Sequence, residues 1–241
     1  MEAQMSHQAM GYDRASIVFS PGGRLLQVEY AKKAVKQGTT SIGVVCKDGV
    51  VIVANRRYIE PLVVHSSIEK VMEIDSHMGA TAIGYVMDGR ILIEKAQVLA
   101  QQHRVTYDEP IDIQSLVKEI CNLKQMYTQF GGARPFGVSL IFAGISDNIP
   151  QVYVTDPTGI FFGYKATAVG EYDTEIKKIL TKEYKDNINV EGGLKLAIKS
   201  MKKVLGKEFD IDTIDVAYIK TDNKMFVKVS REDLLKYKIN G

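Results

Sequence analysis

Few residues of this chain carry side chains suited to chemistry, and their spacing builds no generic reactive site. The four histidines, His7, His65, His77 and His103, show no metal-ligand spacing among themselves. Cys46 and Cys121, the two cysteines, cannot supply a disulfide framework or a four-thiolate zinc site. Both lie in apolar-periodic segments and read as small buried hydrophobes. His103 falls on the apolar stripe of a helix, where a satisfied core or boundary imidazole is expected. The chain has no phosphate-cradling G-x-x-x-x-G-K loop, no G-x-G-x-x-G and no G-x-S-x-G. Gly131-Gly132 could cradle an anion but reads more simply as a helix stop. No metal and no cofactor is expected.

The elements around these residues are those of an ordinary globular chain. Of 241 residues, 45% are hydrophobic and 25% charged, which excludes collagen-like, low-complexity and wholly disordered classes. Lys and Arg total 31 against 29 Asp and Glu, a formal net charge of +2 that points to neither nucleic acid nor an anionic membrane as main partner. No apolar run approaches membrane-spanning length, and Met1 to Met10 lack the basic start and apolar stretch of a signal peptide. A cytoplasmic location is therefore expected. With no linker or internal repeat, the chain reads as a mobile polar tail over residues 1–12 and one domain over 13–241.

Periodicity gives the order of elements. Pro21, then Leu25, Val28, Ala31 and Val35, predicts a helix over about 21–37, stopped by Gly38. A hairpin follows, Thr40 to Cys46 and Val50 to Ala54 around Lys47-Asp48-Gly49, its second strand apolar enough to be buried on both faces. Strands at 71–74 and 80–83 lead to a helix pair, marked by Leu92, Ala96 and Leu99 and by Ile113, Leu116, Val117 and Ile120. Strands at 138–143, 152–155 and 160–164 precede a second pair, from Ile176 to Leu180 and Leu194 to Leu205. Strands at 214–219 and 225–229 and a short helix entered through Ser230 and Asp233 complete the chain. Short connections inside each strand group favour antiparallel pairing. The fold class is α+β, a four-layer αββα sandwich of two antiparallel sheets between helix pairs with an extra N-terminal helix.

The order of particular residues says more. Tyr12-Asp13-Arg14 is followed by Phe19-Ser20-Pro21-Gly22-Gly23-Arg24-Leu25-Leu26-Gln27-Val28-Glu29-Tyr30-Ala31. This run resembles the N-terminal signature of proteasome α-type subunits. The likeness continues through Gly38-Thr39-Thr40-Ser41-Ile42-Gly43, Ser67-Ile68-Glu69-Lys70, Gly131-Gly132-Ala133-Arg134-Pro135-Phe136-Gly137 and Asp156-Pro157-Thr158-Gly159, so it spans almost the whole chain. It is most similar to the archaeal α-type subunits, whose fold is the N-terminal-nucleophile hydrolase sandwich.

The resemblance poses a choice between enzyme and scaffold. Catalytic β-type relatives use an N-terminal threonine whose own α-amine accepts the hydroxyl proton. Thr39 aligns with that nucleophile behind Gly38, so the alternative to a scaffold is a threonine peptidase activated by cleavage between Gly38 and Thr39. Against it, the helix upstream leaves the nitrogen of Thr39 as an amide, and Asn55 stands where catalytic relatives carry an acid, without the charge to stabilise an ammonium. The expectation is a non-catalytic subunit.

The resemblance then implies a heptameric ring of this chain capping rings of β subunits, with a head-to-tail interface that closes by rotation. Its gate would comprise the tail with Tyr12, Asp13, Pro21 and Tyr30. A pocket of Lys70, Lys32 and Gly84 would receive the terminal carboxylate of an ATPase activator, Lys32 keeping the charge but losing the fork geometry of the arginine often found there. Phe130, Gly131 and Gly132 would form an axial annulus that admits unfolded polypeptide.

Overall fold

The computed structural model describes residues 11, 14–56, 62–64 and 68–236. A tight hairpin starts the first sheet. Strands β1 (Ser41–Cys46) and β2 (Gly49–Asn55) pair with Cys46 opposite Gly49, so the turn is the two residues Lys47-Asp48 and Gly49 already belongs to the strand. Every residue of β2 is buried, as its unbroken apolar run requires.

Upstream lies helix α1 (Leu26–Gln37). It begins later than Pro21 because the lead-in folds on itself. Ser20 accepts the amide of Gly23 at 2.8 Å, donates its own amide to Arg24 at 2.9 Å, and Phe19 bridges to Leu25. Pro21 thus occupies the second position of a β-turn, which suits its fixed φ, and Gly23 takes the left-handed φ of +71°.

The chain continues through β3 (Val71–Asp75), β4 (Met78–Gly84), α2 (Val86–Tyr107), α3 (Ile113–Tyr127), β5 (Val138–Ser146), β6 (Ile149–Thr155), β7 (Phe161–Gly163) and β8 (Ala166–Val169). After these come α4 (Asp173–Glu183), α5 (Val190–Leu205), β9 (Ile214–Lys220), β10 (Phe226–Lys228) and α6 (Arg231–Lys236). The strands form two five-stranded sheets, ordered β10-β9-β2-β1-β8 and β3-β4-β5-β6-β7, with every pair antiparallel.

Three apolar clusters stack the layers. Val50, Ile52, Ile141, Ala143 and Ile219 fill the space between the sheets, and Val35 of α1 joins them. Val44 and Val51 of the first sheet meet Ile176 and Leu180 of α4 and Leu194, Ala197 and Met201 of α5. Ala80, Leu92, Leu116, Ile120 and Leu140 seat α2 and α3 on the second. Each large aliphatic side chain so buried contributes roughly 1.5–3 kcal/mol. Helix starts are capped as their sequences dictate: Asp112 accepts the Ser115 amide, Asn189 accepts that of Gly192, and Ser230 exchanges hydrogen bonds with Asp233 in the predicted box. Among the described residues no helix is long and apolar enough to cross a membrane.

Candidate functional site

The segment entering α1 runs beside the loop that leaves α3. Ser16 donates its hydroxyl to the Phe130 carbonyl at 3.3 Å, and the Cδ1 of Ile17 lies so close to Gly131 that a Cβ there would be 3.6 Å from it. Helix α3 stops at Tyr127, where the Thr128 hydroxyl bonds back to the Gln125 carbonyl at 2.6 Å. Gly131-Gly132 is therefore not the helix stop expected from the sequence. The pair lies out in the loop, with Gly132 at φ +87° and the Phe130 ring 58% exposed.

Two anchors that the sequence did not reveal hold the far side of this loop. The buried Asp88 in the first turn of α2 accepts two hydrogen bonds from Arg134, both 2.6 Å, and the Gly137 amide at 2.7 Å. Burial alone would raise the Asp88 carboxyl, but the Arg134 fork and the Gly137 amide outweigh it and hold it below the usual carboxylate range. Arg134 also lies over the Tyr85 ring, 5.8 Å from its centroid. Gly137 makes that ring's position possible, because a Cβ there would sit 2.4 Å from Tyr85 Cδ2. The signal in the sequence was an arginine embedded between glycines, with an aspartate opening the preceding helix pair.

Of the residues assigned to a gate, Tyr12 and Asp13 lie outside the described residues. Pro21 is exposed at the turn ahead of α1. Tyr30 is half-buried on α1, with the Lys33 ammonium 5.6 Å from its ring centroid, and borders a cavity of about 420 Å³ with Gln27, Tyr85, Met87 and Arg134.

Of the residues assigned to a binding pocket, Gly84 ends β4 at φ +120°, where a Cβ would lie 2.2 Å from the Gly137 carbonyl oxygen. The same corner receives Gly38, whose Cβ would lie 2.5 Å from the Gly84 nitrogen. Val71 pairs with Thr81, so Lys70 stands at the end of the second sheet where Gly84 closes β4. Lys70 is half-buried, and burial draws its ammonium down to about 8. Lys32 is half-buried on α1 with Glu29 3.9 Å away.

The residues around Thr39 are tied into the scaffold. The Glu171 amide donates to the Gly38 carbonyl at 2.8 Å, and the Thr40 hydroxyl donates to the Glu171 carbonyl. Asn55 is buried and gives its amide to the Thr40 carbonyl at 2.9 Å. A carboxylate does stand beside Lys70, but Asp215 already accepts the amides of Lys70 and Val71 at 2.9 Å each and faces Lys228 at 3.5 Å.

The remaining reactive groups are structural. Both thiols are buried, which pushes Cys46 up to about 12 and Cys121 to about 11. His103 sits at the core boundary, 3.1 Å from the Glu109 carbonyl and tilted against Tyr107. Among the described residues no cluster of His, Cys, Asp or Glu could hold a metal ion.

Two face-to-face antiparallel sheets between helix pairs, with a threonine at the head of β1, define the sandwich of the N-terminal-nucleophile hydrolases. Comparison of the sequence with known families agrees: residues 35–219 match the proteasome subunit family, and residues 12–34 match the N-terminal signature of its A-type members. Among similar proteins is a proteasome alpha subunit of Archaeoglobus fulgidus, 46% identical over 95% of this chain and 92% of its own length. Another, from Methanocaldococcus jannaschii, is 48% identical over 93% of this chain and 86% of its own, and one from Pyrococcus horikoshii is 45% identical over 94% and 86%. The chain belongs to the proteasome subunit family, and within it to the α type.

Proposed function

We propose that this chain is a non-catalytic α-ring subunit of a proteasome core particle, forming the gated axial entry for unfolded polypeptide. In this reading seven copies close into a ring that caps β-subunit rings, and the assembly works in the cytoplasm. The observation that carries the reading is the Ser16–Phe130 hydrogen bond with Ile17 against Gly131, because it runs the segment that follows the tail directly along the loop proposed as aperture. A polar tail released from that loop would occlude or clear the opening by a small order–disorder change. Tyr12 and Asp13 would act with Pro21 and Tyr30 to hold the tail in its open arrangement.

Phe130, Gly131 and Gly132 would form the constriction itself, an exposed ring on a backbone free to turn tightly. Lys70, with Gly84 and Lys32, would receive the C-terminal carboxylate of an ATPase activator; a compact ammonium at the end of β3 suits such a point contact. Non-catalytic character is supported by the amide nitrogen of Thr39, which follows a helix whose Val35 is part of the inter-sheet core.

Particles assembled with a β partner test both halves. Deleting residues 1–12 should raise hydrolysis of a short fluorogenic peptide severalfold without activator, and unchanged hydrolysis would remove the tail from the gate. Lys70→Ala should leave assembly and basal peptide hydrolysis intact while abolishing ATPase-stimulated degradation of a folded substrate. Normal stimulation by that variant would take Lys70 out of the docking pocket.

A further inference from the structure

Lys124 is fully buried and ranks among the largest fully buried side chains of the described residues. A lysine in that setting is unusual, since burying an ammonium costs far more than burying a neutral group. It stands in the last turn of α3, just ahead of the loop that carries Phe130, Gly131 and Gly132. Its Nζ donates to the carbonyl of Val138, the first residue of β5, at 2.8 Å and to the hydroxyl of Thr155, the last residue of β6, at 3.0 Å. Thr155 in turn accepts the Leu140 amide at 3.2 Å. One amino group thus joins the helix before the loop to two strands at its other end. Two acceptors match the two N–H bonds of a neutral amine, whereas an ammonium carries three.

We propose that Lys124 is the positioning residue of the loop Phe130-Gly131-Gly132, a proton-linked latch that grips the loop root more firmly once its amine is neutral. The latch is a property of this chain by itself; its bearing on polypeptide entry rests on the reading of that loop as the aperture. The titratable groups facing Lys124 are Cys121, one turn earlier on α3, and Asp156, at the end of β6. Their influence favours the charged form but is smaller than that of burial, and the amine is drawn down to about 8. Any opening that hydrates Lys124 restores an ordinary lysine near 10.4. The open state then binds more protons than the closed one between about pH 8 and 10.4, so opening becomes less favourable as pH rises through that window.

Hydrogen exchange on the full chain reads this directly, as protection factors corrected for the intrinsic pH dependence of amide exchange. The hydrogen-bonded amides of the loop, Thr128, Gln129, Ala133 and Gly137, should gain about tenfold in protection between about pH 7 and pH 9, and the gain should vanish in Lys124→Met, which fills the same space without a titratable group. A flat wild-type profile, or the same gain in the methionine variant, would overturn the latch. A mutation-free check is the Cε chemical shift of the chain labelled with ¹³C-lysine. One buried lysine should titrate near 8 in step with the exchange profile, and its absence would also overturn the proposal. These outcomes are independent of the gate: a tail deletion without effect on peptide entry would sink the aperture reading and leave the latch standing.

Discussion

Arg134 and Asp88 show how much one charged pair can be asked to hold. The carboxylate is buried and accepts both prongs of the guanidinium and the Gly137 amide, so three of its roughly four lone-pair sites are served. Removing the arginine strands the charge. Arg134→Met should lower unfolding free energy at neutral pH by about 1–3 kcal/mol, measured by urea titration. The pH dependence follows from the same geometry. The folded carboxyl titrates below its unfolded value of about 3.9, so the unfolded chain binds more protons in acid. The contribution is present above about pH 3.9 and is lost as pH falls through the folded value. The methionine variant should show a shallower acid-side slope; an unchanged slope would mean the pair adds nothing to folding.

At the scale of elements, what the residues announced depended on how local the determining interaction was. Strand β2 was readable because its apolar run leaves no alternation, and α6 because Ser230 and Asp233 form their box within one turn. The start of α1 was not, since Pro21 fits a helix first turn and a β-turn equally well, and the Phe19–Leu25 bridge decides between them. Strand β8 escaped notice because Ala166–Val169 is short and weakly patterned; it exists through pairing with β1, far away in sequence. The same division applies to the proposed site. Phe130, Gly131, Gly132 and Lys70 could be named from motif likeness, whereas Asp88 and Lys124 matter through partners 46, 49 and 31 residues away that no spacing rule reveals.

For the molecule as a whole, the decisive question is whether it hydrolyses anything without partners. Helix α1 is covalently upstream of Thr39 and contributes buried Val28, Ala31 and Val35, so the segment a processing cut would separate is a packed part of the sandwich. The purified chain should keep its full-length mass and show no Thr39-dependent hydrolysis of a fluorogenic peptide. A mass corresponding to a chain beginning at Thr39, with activity lost in Thr39→Ala, would reverse the assignment.

The corner where Gly38, Gly84 and Gly137 meet constrains how the sequence can drift. A methyl group on Gly38 would strike the nitrogen of Gly84, and one on Gly84 would strike the oxygen of Gly137. Both obstacles are main-chain atoms, which no exchange of side chains can trim away, so neither position has a second-site suppressor within this corner. Gly137 differs, because its obstacle is the ring of Tyr85, and a smaller residue there could in principle make room. Of three adjoining glycines, two are fixed by backbone and one only by the company it keeps.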